Sequence, residues 1–142
     1  MSDIKKVKIQ ELAARIRRQE GKYELEEYNM ALMYYNKAIE LNPNNAKVYN
    51  GRANIYRLTN NIPAAMADIE KAIALEPDLG ATYATLAEIY AAQGNEEELY
   101  KNITIALEKG APVWEIMNED DAYKPYLQEP RLIALIAKYK PQ

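Results

Sequence analysis

The chain has no cysteine, no histidine and no phenylalanine, and its only serine is Ser2. Without cysteine there are no disulfides, no thiolate chemistry and no Cys-based zinc site. Without histidine or cysteine, and with one terminal serine, no nucleophile–base pair of the usual types can be assembled. No Walker or GxGxxG loop is present. Long hydrophobic runs are missing too. The longest apolar stretch, Leu132 to Ala137, is far too short to span a bilayer, and the polar start from Ser2 to Lys6 offers no apolar core for a signal peptide. These absences set the expectation of a non-enzymatic, cytoplasmic protein with no catalytic residues, no metal and no cofactor, and with neither membrane nor nucleic acid as a partner.

What is present suits one soluble domain. The 142 residues are 49% apolar and 27% charged. Net charge is −3 and the pI is near 5.2, against a general nucleic-acid footprint. The charge is unevenly placed. Residues 1–22 carry seven basic side chains (Lys5, Lys6, Lys8, Arg15, Arg17, Arg18, Lys22) and three acidic ones (Asp3, Glu11, Glu20), giving +4 and leaving −3 − 4 = −7 for the rest.

The dominant pattern is a repeat of 34 residues. Ala38, Ala72 and Ala106 keep that spacing, as do Tyr49 and Tyr83, Ala53 and Ala87, Tyr56 and Tyr90, Asn60 and Gly94, and Pro43 and Pro77. A fixed period of this length means stacked units, none of which buries its apolar face alone. In the middle unit, 46–79, Tyr49, Ala53 and Tyr56 fall on one face of a helix from about Lys47 to Leu58. Asn60 and Asn61 end it, because Asn tolerates the left-handed exit, and Pro63 suits the first turn of a second helix. That helix buries Ala65, Ile69, Ala72 and Ile73, and Pro77 stops it. The next unit, 80–112, repeats the design with Tyr83, Leu86, Ala87 and Tyr90, Gly94 at the exit, then Leu99, Ile103 and Ala106.

The first unit, 8–43, is regular only in its second half, through Ala31, Tyr35, Ala38 and Pro43. Ile9, Leu12, Ala13 and Ile16 predict a helix from about Lys5 to Glu20, joined through Gly21–Glu26 with a residue or two of irregularity. From 113 to 142 the pattern predicts a helical cap, with Val113, Trp114, Ile116 and Met117 covering the last repeat. Pro130 then opens a final helix that faces Leu132, Leu135 and Ile136 inward.

These residues resemble the tetratricopeptide repeat family, whose pattern is W-x2-L-G-x2-Y…A-x3-F…P. Tyr49-x2-Arg52-Ala53-x2-Tyr56…Ala65-x3-Ile69…Pro77 and Tyr83-x2-Leu86-Ala87-x2-Tyr90…Leu99-x3-Ile103 fit it over about residues 8 to 112. Arg52 departs at the Leu slot, and Ala111 stands in the final Pro slot. The tail from Gly110 is similar to the closing segment of small bacterial members of the family. The resemblance implies an all-α, right-handed solenoid of about three helix-turn-helix repeats plus a C-terminal helical cap. It also implies a concave groove, lined by first helices, that binds a peptide or partner protein.

The slots facing such a groove hold Lys47, Asn50, Asn54 and Arg57 in the middle unit. Amides can pair with a peptide backbone, and an arginine can hold a carboxylate. The next unit places Ala81, Ala84, Thr85 and Glu88 in the corresponding slots, a small lining that suits either a shallow trough or close packing. Family members that grip acidic C-terminal tails use a two-carboxylate clamp of Lys, Asn and Arg. Here the Asn slot holds Gly51, and the Lys and Arg slots hold Ala81 and Thr85, so that role is not expected. The acidic runs Glu96–Glu98 and Glu119–Asp121 read as a helix start and as a turn or cap. Tyr49, Tyr56, Tyr83 and Tyr90 read as packing residues with hydroxyls at polar edges. Two alternatives to the groove stay open: a subunit of a homo-oligomer, and a regulator or inhibitor that docks an acidic partner through the basic N-terminal end.

Overall fold

The structure is a computed structural model that describes residues 3–17 and 23–142. The described residues are helical and contain no strand. The helices are α1 (Asp3–Arg17), α2 (Leu25–Leu41), α3 (Ala46–Leu58), α4 (Ile62–Leu75), α5 (Gly80–Ala92), α6 (Glu96–Glu108) and α7 (Pro130–Tyr139). Two 3-10 segments, Val113–Glu115 and Asp121–Tyr126, lie between α6 and α7. The chain divides into two compact units, Met1–Pro77 and Asp78–Gln142. In the first, α1 packs on α2, α2 on α3 and α3 on α4; in the second, α5 packs on α6 and both meet the C-terminal segments.

The short turns between paired helices follow the residues that the period aligns. Asn60 has φ 60° and Gly94 has φ 72°, so both exits use the left-handed region. The following Asn61 and Asn95 then cap α4 and α6, accepting from the backbone N–H of Ala64 at 3.4 Å and of Glu98 at 3.3 Å. A Cβ at Gly94 would touch nothing within 4 Å, so Gly94→Ala tests backbone strain alone. It is expected to cost about 1–2 kcal/mol, whereas Asn60→Gly changes stability little; urea unfolding of the two variants measures both.

Of the stripe expected for α1 in the first unit, Ile9, Ala13 and Ile16 are buried and Leu12 is half-buried. The expected helix end at Glu20 and the first two residues of the join at Gly21–Glu26 fall on residues 18–22, outside the described residues, and the last two, Leu25 and Glu26, already belong to α2. The stripe itself shows a larger offset than a residue or two. Ile9, Ala13 and Ile16 match Tyr49, Ala53 and Tyr56 at 49 − 9 = 53 − 13 = 56 − 16 = 40, six beyond the period. Arg52, the departure at the Leu slot, ties three helices together. Its Nε and Nη2 donate to the Asp68 carboxylate of α4 at 2.8 and 2.7 Å, and its Nη1 donates to Asn36 Oδ1 of α2 at 2.9 Å. The rings of Tyr49 and Tyr56 lie 5.8 and 5.7 Å from the guanidinium carbon. One period later the same two slots hold Leu86 and Asn102. The buried Asn102 turns inward on its own helix, donating to the Glu98 carbonyl at 2.8 Å.

The closing segment keeps the stride of the second helices. These begin at Ile62, Glu96 and Pro130, each 34 after the last. Where a fourth first helix would lie, the chain forms the two 3-10 segments instead. Met117, Asp120, Tyr123 and Tyr126 are all buried at intervals of three, the period of that tighter helix. Asp120 caps the second segment, accepting from the Ala122 N–H at 2.9 Å. Val113 is buried, Trp114 and Ile116 are half-buried, and α7 inserts Leu132 fully and Leu135 and Ile136 partly. Tyr100 of α6 fastens α7: its hydroxyl donates to Glu129 at 2.7 Å, and the Arg131 guanidinium lies 3.9 Å from its ring centroid. Burial, reinforced by that carboxylate, pushes the Tyr100 hydroxyl pKa well above the usual phenol value.

Candidate functional site

The four expected positions on α3 lie on one face, at i, i+3, i+7 and i+10. Asn45 caps the helix, accepting from the Lys47 N–H at 3.2 Å, and leaves the Lys47 side chain exposed. Asn50 is half-buried, and its Oδ1 is shielded from solvent without a hydrogen-bond partner. Asn54 and Arg57 are buried and joined: the Arg57 Nε and Nη2 both donate to Asn54 Oδ1, at 3.2 and 2.8 Å. The arginine is thus held rigidly by its own helix. Its positive charge also acts on Tyr28 of α2, whose hydroxyl pKa is raised chiefly by burial and pulled back partly by Arg57. Arg15, Tyr23 and Tyr28 continue this aromatic and cationic cluster, with Tyr23 edge-on to Tyr28 at 6.1 Å.

In the second unit Ala81 is exposed, whereas Ala84, Thr85 and Glu88 are buried. Helix α5 is covered on most of its circumference, which suits its run of small residues. The Thr85 hydroxyl is already used, donating to the Ala81 carbonyl at 3.2 Å. Of the eight positions, Lys47, Asn50 and Ala81 keep open surface, and the other five are packed.

The clamp slot at Gly51 has a physical occupant. A Cβ there would lie 2.5–2.7 Å from the outer ring atoms and hydroxyl of Tyr35, a buried residue of α2. Where the clamp needs an amide, this chain has an aromatic ring pressed on a bare backbone. No acceptor or donor pattern in the sequence marks that contact. The only signal was Gly51 itself, an interior helical glycine that intrinsic propensity disfavours. Among the described residues no cluster of acidic, His or Cys side chains is arranged to hold a metal ion. No helix among them is long and apolar enough to cross a membrane.

Profiles of the tetratricopeptide repeat match residues 8–45 and 34–67, the first over the atypical opening unit and the second across the end of α2, α3 and the start of α4. The chain is 38% identical over 55 residues to an Hsp70-Hsp90 organizing protein of Triticum aestivum, covering 39% of this chain and 10% of that one. It is 27% identical over 86 residues to stress-induced-phosphoprotein 1 of Caenorhabditis elegans, covering 61% of this chain and 27% of the relative. It is 33% identical over 63 residues to Hsp70-Hsp90 organizing protein 3 of Arabidopsis thaliana, covering 44% and 11%. The match therefore spans about a quarter or less of each relative. With two repeat profiles in place, a 34-residue stride and helix pairs closed by equivalent turns, the chain belongs to the tetratricopeptide repeat family.

Proposed function

We propose that this chain is a non-enzymatic, cytoplasmic interaction scaffold that holds a peptide or partner protein along the exposed faces of its first helices. Tetratricopeptide repeats serve generally as protein-binding modules, and the sequence holds no histidine, no cysteine and no serine beyond Ser2 for a nucleophile–base pair of the usual types. In the first unit Lys47 and Asn50 are the contact residues of the stripe, with the buried Asn54 and Arg57 behind them; in the second Ala81 is the open position, with Ala84, Thr85 and Glu88 packed behind it. The observation that carries this reading is Asn50. Its carbonyl oxygen takes no hydrogen bond among the described residues, and Asn50 shares a helical face with the polar Lys47, Asn54 and Arg57. A half-turn about χ2 exchanges oxygen and nitrogen, so the amide can accept from or donate to a peptide backbone. Asn54 and Arg57 act behind it, as a braced positive end.

The relatives named as chaperone organizers do not extend to a carboxylate clamp here. Gly51 is filled by Tyr35, Ala81 has no donor, and Thr85 bonds its own helix. A peptide ending in two acidic groups is expected to bind no better than its amidated form.

The test is capture of a partner from the source cell, followed by its titration against Lys47→Glu/Asn50→Ala. Both side chains reach the surface, so the fold is retained. The expected result is at least a tenfold loss of affinity at unchanged melting temperature and unchanged mass in solution. Undiminished binding overturns the reading, and a change of oligomeric mass favours the structural subunit instead.

A further inference from the structure

The first unit contains a cleft of about 820 Å³ between the start of α1 and the end of α2, and none of its lining residues belongs to the α3 stripe. Its origin lies in the repeat. Ala72 and Ala106 are completely buried, but Ala38, 34 residues before Ala72, is half-buried and lines the cleft. The slot that carries Tyr49 in α3 carries Ile9 in α1, and the slot of the buried Ala46 carries the exposed Lys6, at the same offset of 40. The slot that holds a tyrosine ring in α3 and α5 thus holds the smaller Ile9 in α1, beside the opening. Bulky apolar side chains stand open at the site: Met33 is 54% and Leu41 74% exposed. The rim is basic. Lys6 stands on one wall and Lys37 on the other, and Glu40, the one acidic residue among the described residues of the lining, is tied to Lys37 at 3.4 Å. The exposed Lys8 lies on the same helix as Lys6, within the segment of net charge +4.

We infer that the α1–α2 cleft docks an acidic, amphipathic segment of a partner protein, which seats one large apolar side chain over Ala38 between Lys6 and Lys37. Apolar contact with Met33, Ala38 and Leu41 supplies the anchor. Acidic flanks match the lysines and select the partner by charge. The weak exposed pair between Lys37 and Glu40 yields readily to a carboxylate from outside.

The probe is a synthetic amphipathic helical peptide with Trp and Leu anchors at i and i+4 and glutamates on either side, titrated by fluorescence anisotropy against the full chain. A version with every Glu replaced by Lys is the control. The acidic peptide is expected to bind, to weaken as salt rises, and to lose at least tenfold in affinity with Met33→Glu/Leu41→Glu, both surface changes. Ile9→Tyr, which restores the ring of the later repeats, is expected to block binding and raise the melting temperature. The inference is overturned if the acidic peptide does not bind, if the lysine peptide binds equally well, or if Met33→Glu/Leu41→Glu leaves affinity unchanged. It is also overturned if vesicles containing phosphatidylserine, rather than the peptide, capture the chain through these residues. Sedimentation as a dimer that Met33→Glu/Leu41→Glu dissociates assigns the cleft to a second copy and overturns it as well.

Discussion

Asp68→Ala is expected to destabilise the protein by about 3 kcal/mol, the lower end of the range for breaking a buried ion pair. The Asp68 side chain is 6% exposed and its partner Arg52 is 21% exposed. Removing the carboxylate strands a guanidinium between two tyrosine rings, with Asn36 as its remaining acceptor among the described residues. Partial exposure lets Arg52 recover some hydration, which keeps the cost from the upper end. Chemical unfolding measures it, and the thermal midpoint should fall by roughly 6–12 °C. The informative partner is the double variant Arg52→Leu/Asp68→Asn, which transplants the pair found one period later. It removes both charges together, so neither is stranded, and a well-packed apolar replacement for a buried ion pair is often neutral. Its stability is expected within about 1 kcal/mol of the parent. A double variant as unstable as Asp68→Ala would show that the three-helix tie is irreplaceable here.

Gly51→Ala is expected to destabilise, against the rule for helix interiors. Alanine is favoured over glycine there by about 1 kcal/mol. The added methyl would meet the Tyr35 ring and hydroxyl at 2.5–2.7 Å, and the ring is buried and cannot swing clear. Overpacking of this kind costs about 1–3 kcal/mol, so the net change is a loss of about 0–2 kcal/mol, centred near 1. The sign should reverse in a Tyr35→Leu background, where the methyl has room and propensity decides. A double-mutant cycle by urea unfolding reads the coupling directly. Additive effects would mean that Tyr35 does not own this slot.

The architecture was legible because the signals that set it are local and recur. Tyr49, Ala53 and Tyr56 announce a buried helix face, and Asn60 and Gly94 announce a left-handed exit, before any packing is known. The first repeat was harder to read. A period search holds the spacing fixed, whereas α1 matches α3 at an offset of 40, and the match rests on Ile9 and Ile16 in place of tyrosines. The recognition face was legible only in part. Helical spacing identifies which residues share a stripe, but burial depends on what packs over it. Lys47 and Ala81 stay open while Asn54, Thr85 and Glu88 do not. The contact of Tyr35 with Gly51 joins two helices through a shape that no residue pattern encodes.

The even starts of α4, α6 and α7 have an engineering consequence. A further 34-residue block inserted ahead of Glu96 would shift every later residue by one whole stride, leaving each on its original helical face. The terminal lid would stay in phase, so the length of this protein can be altered by whole modules while its closing segment is kept as it stands.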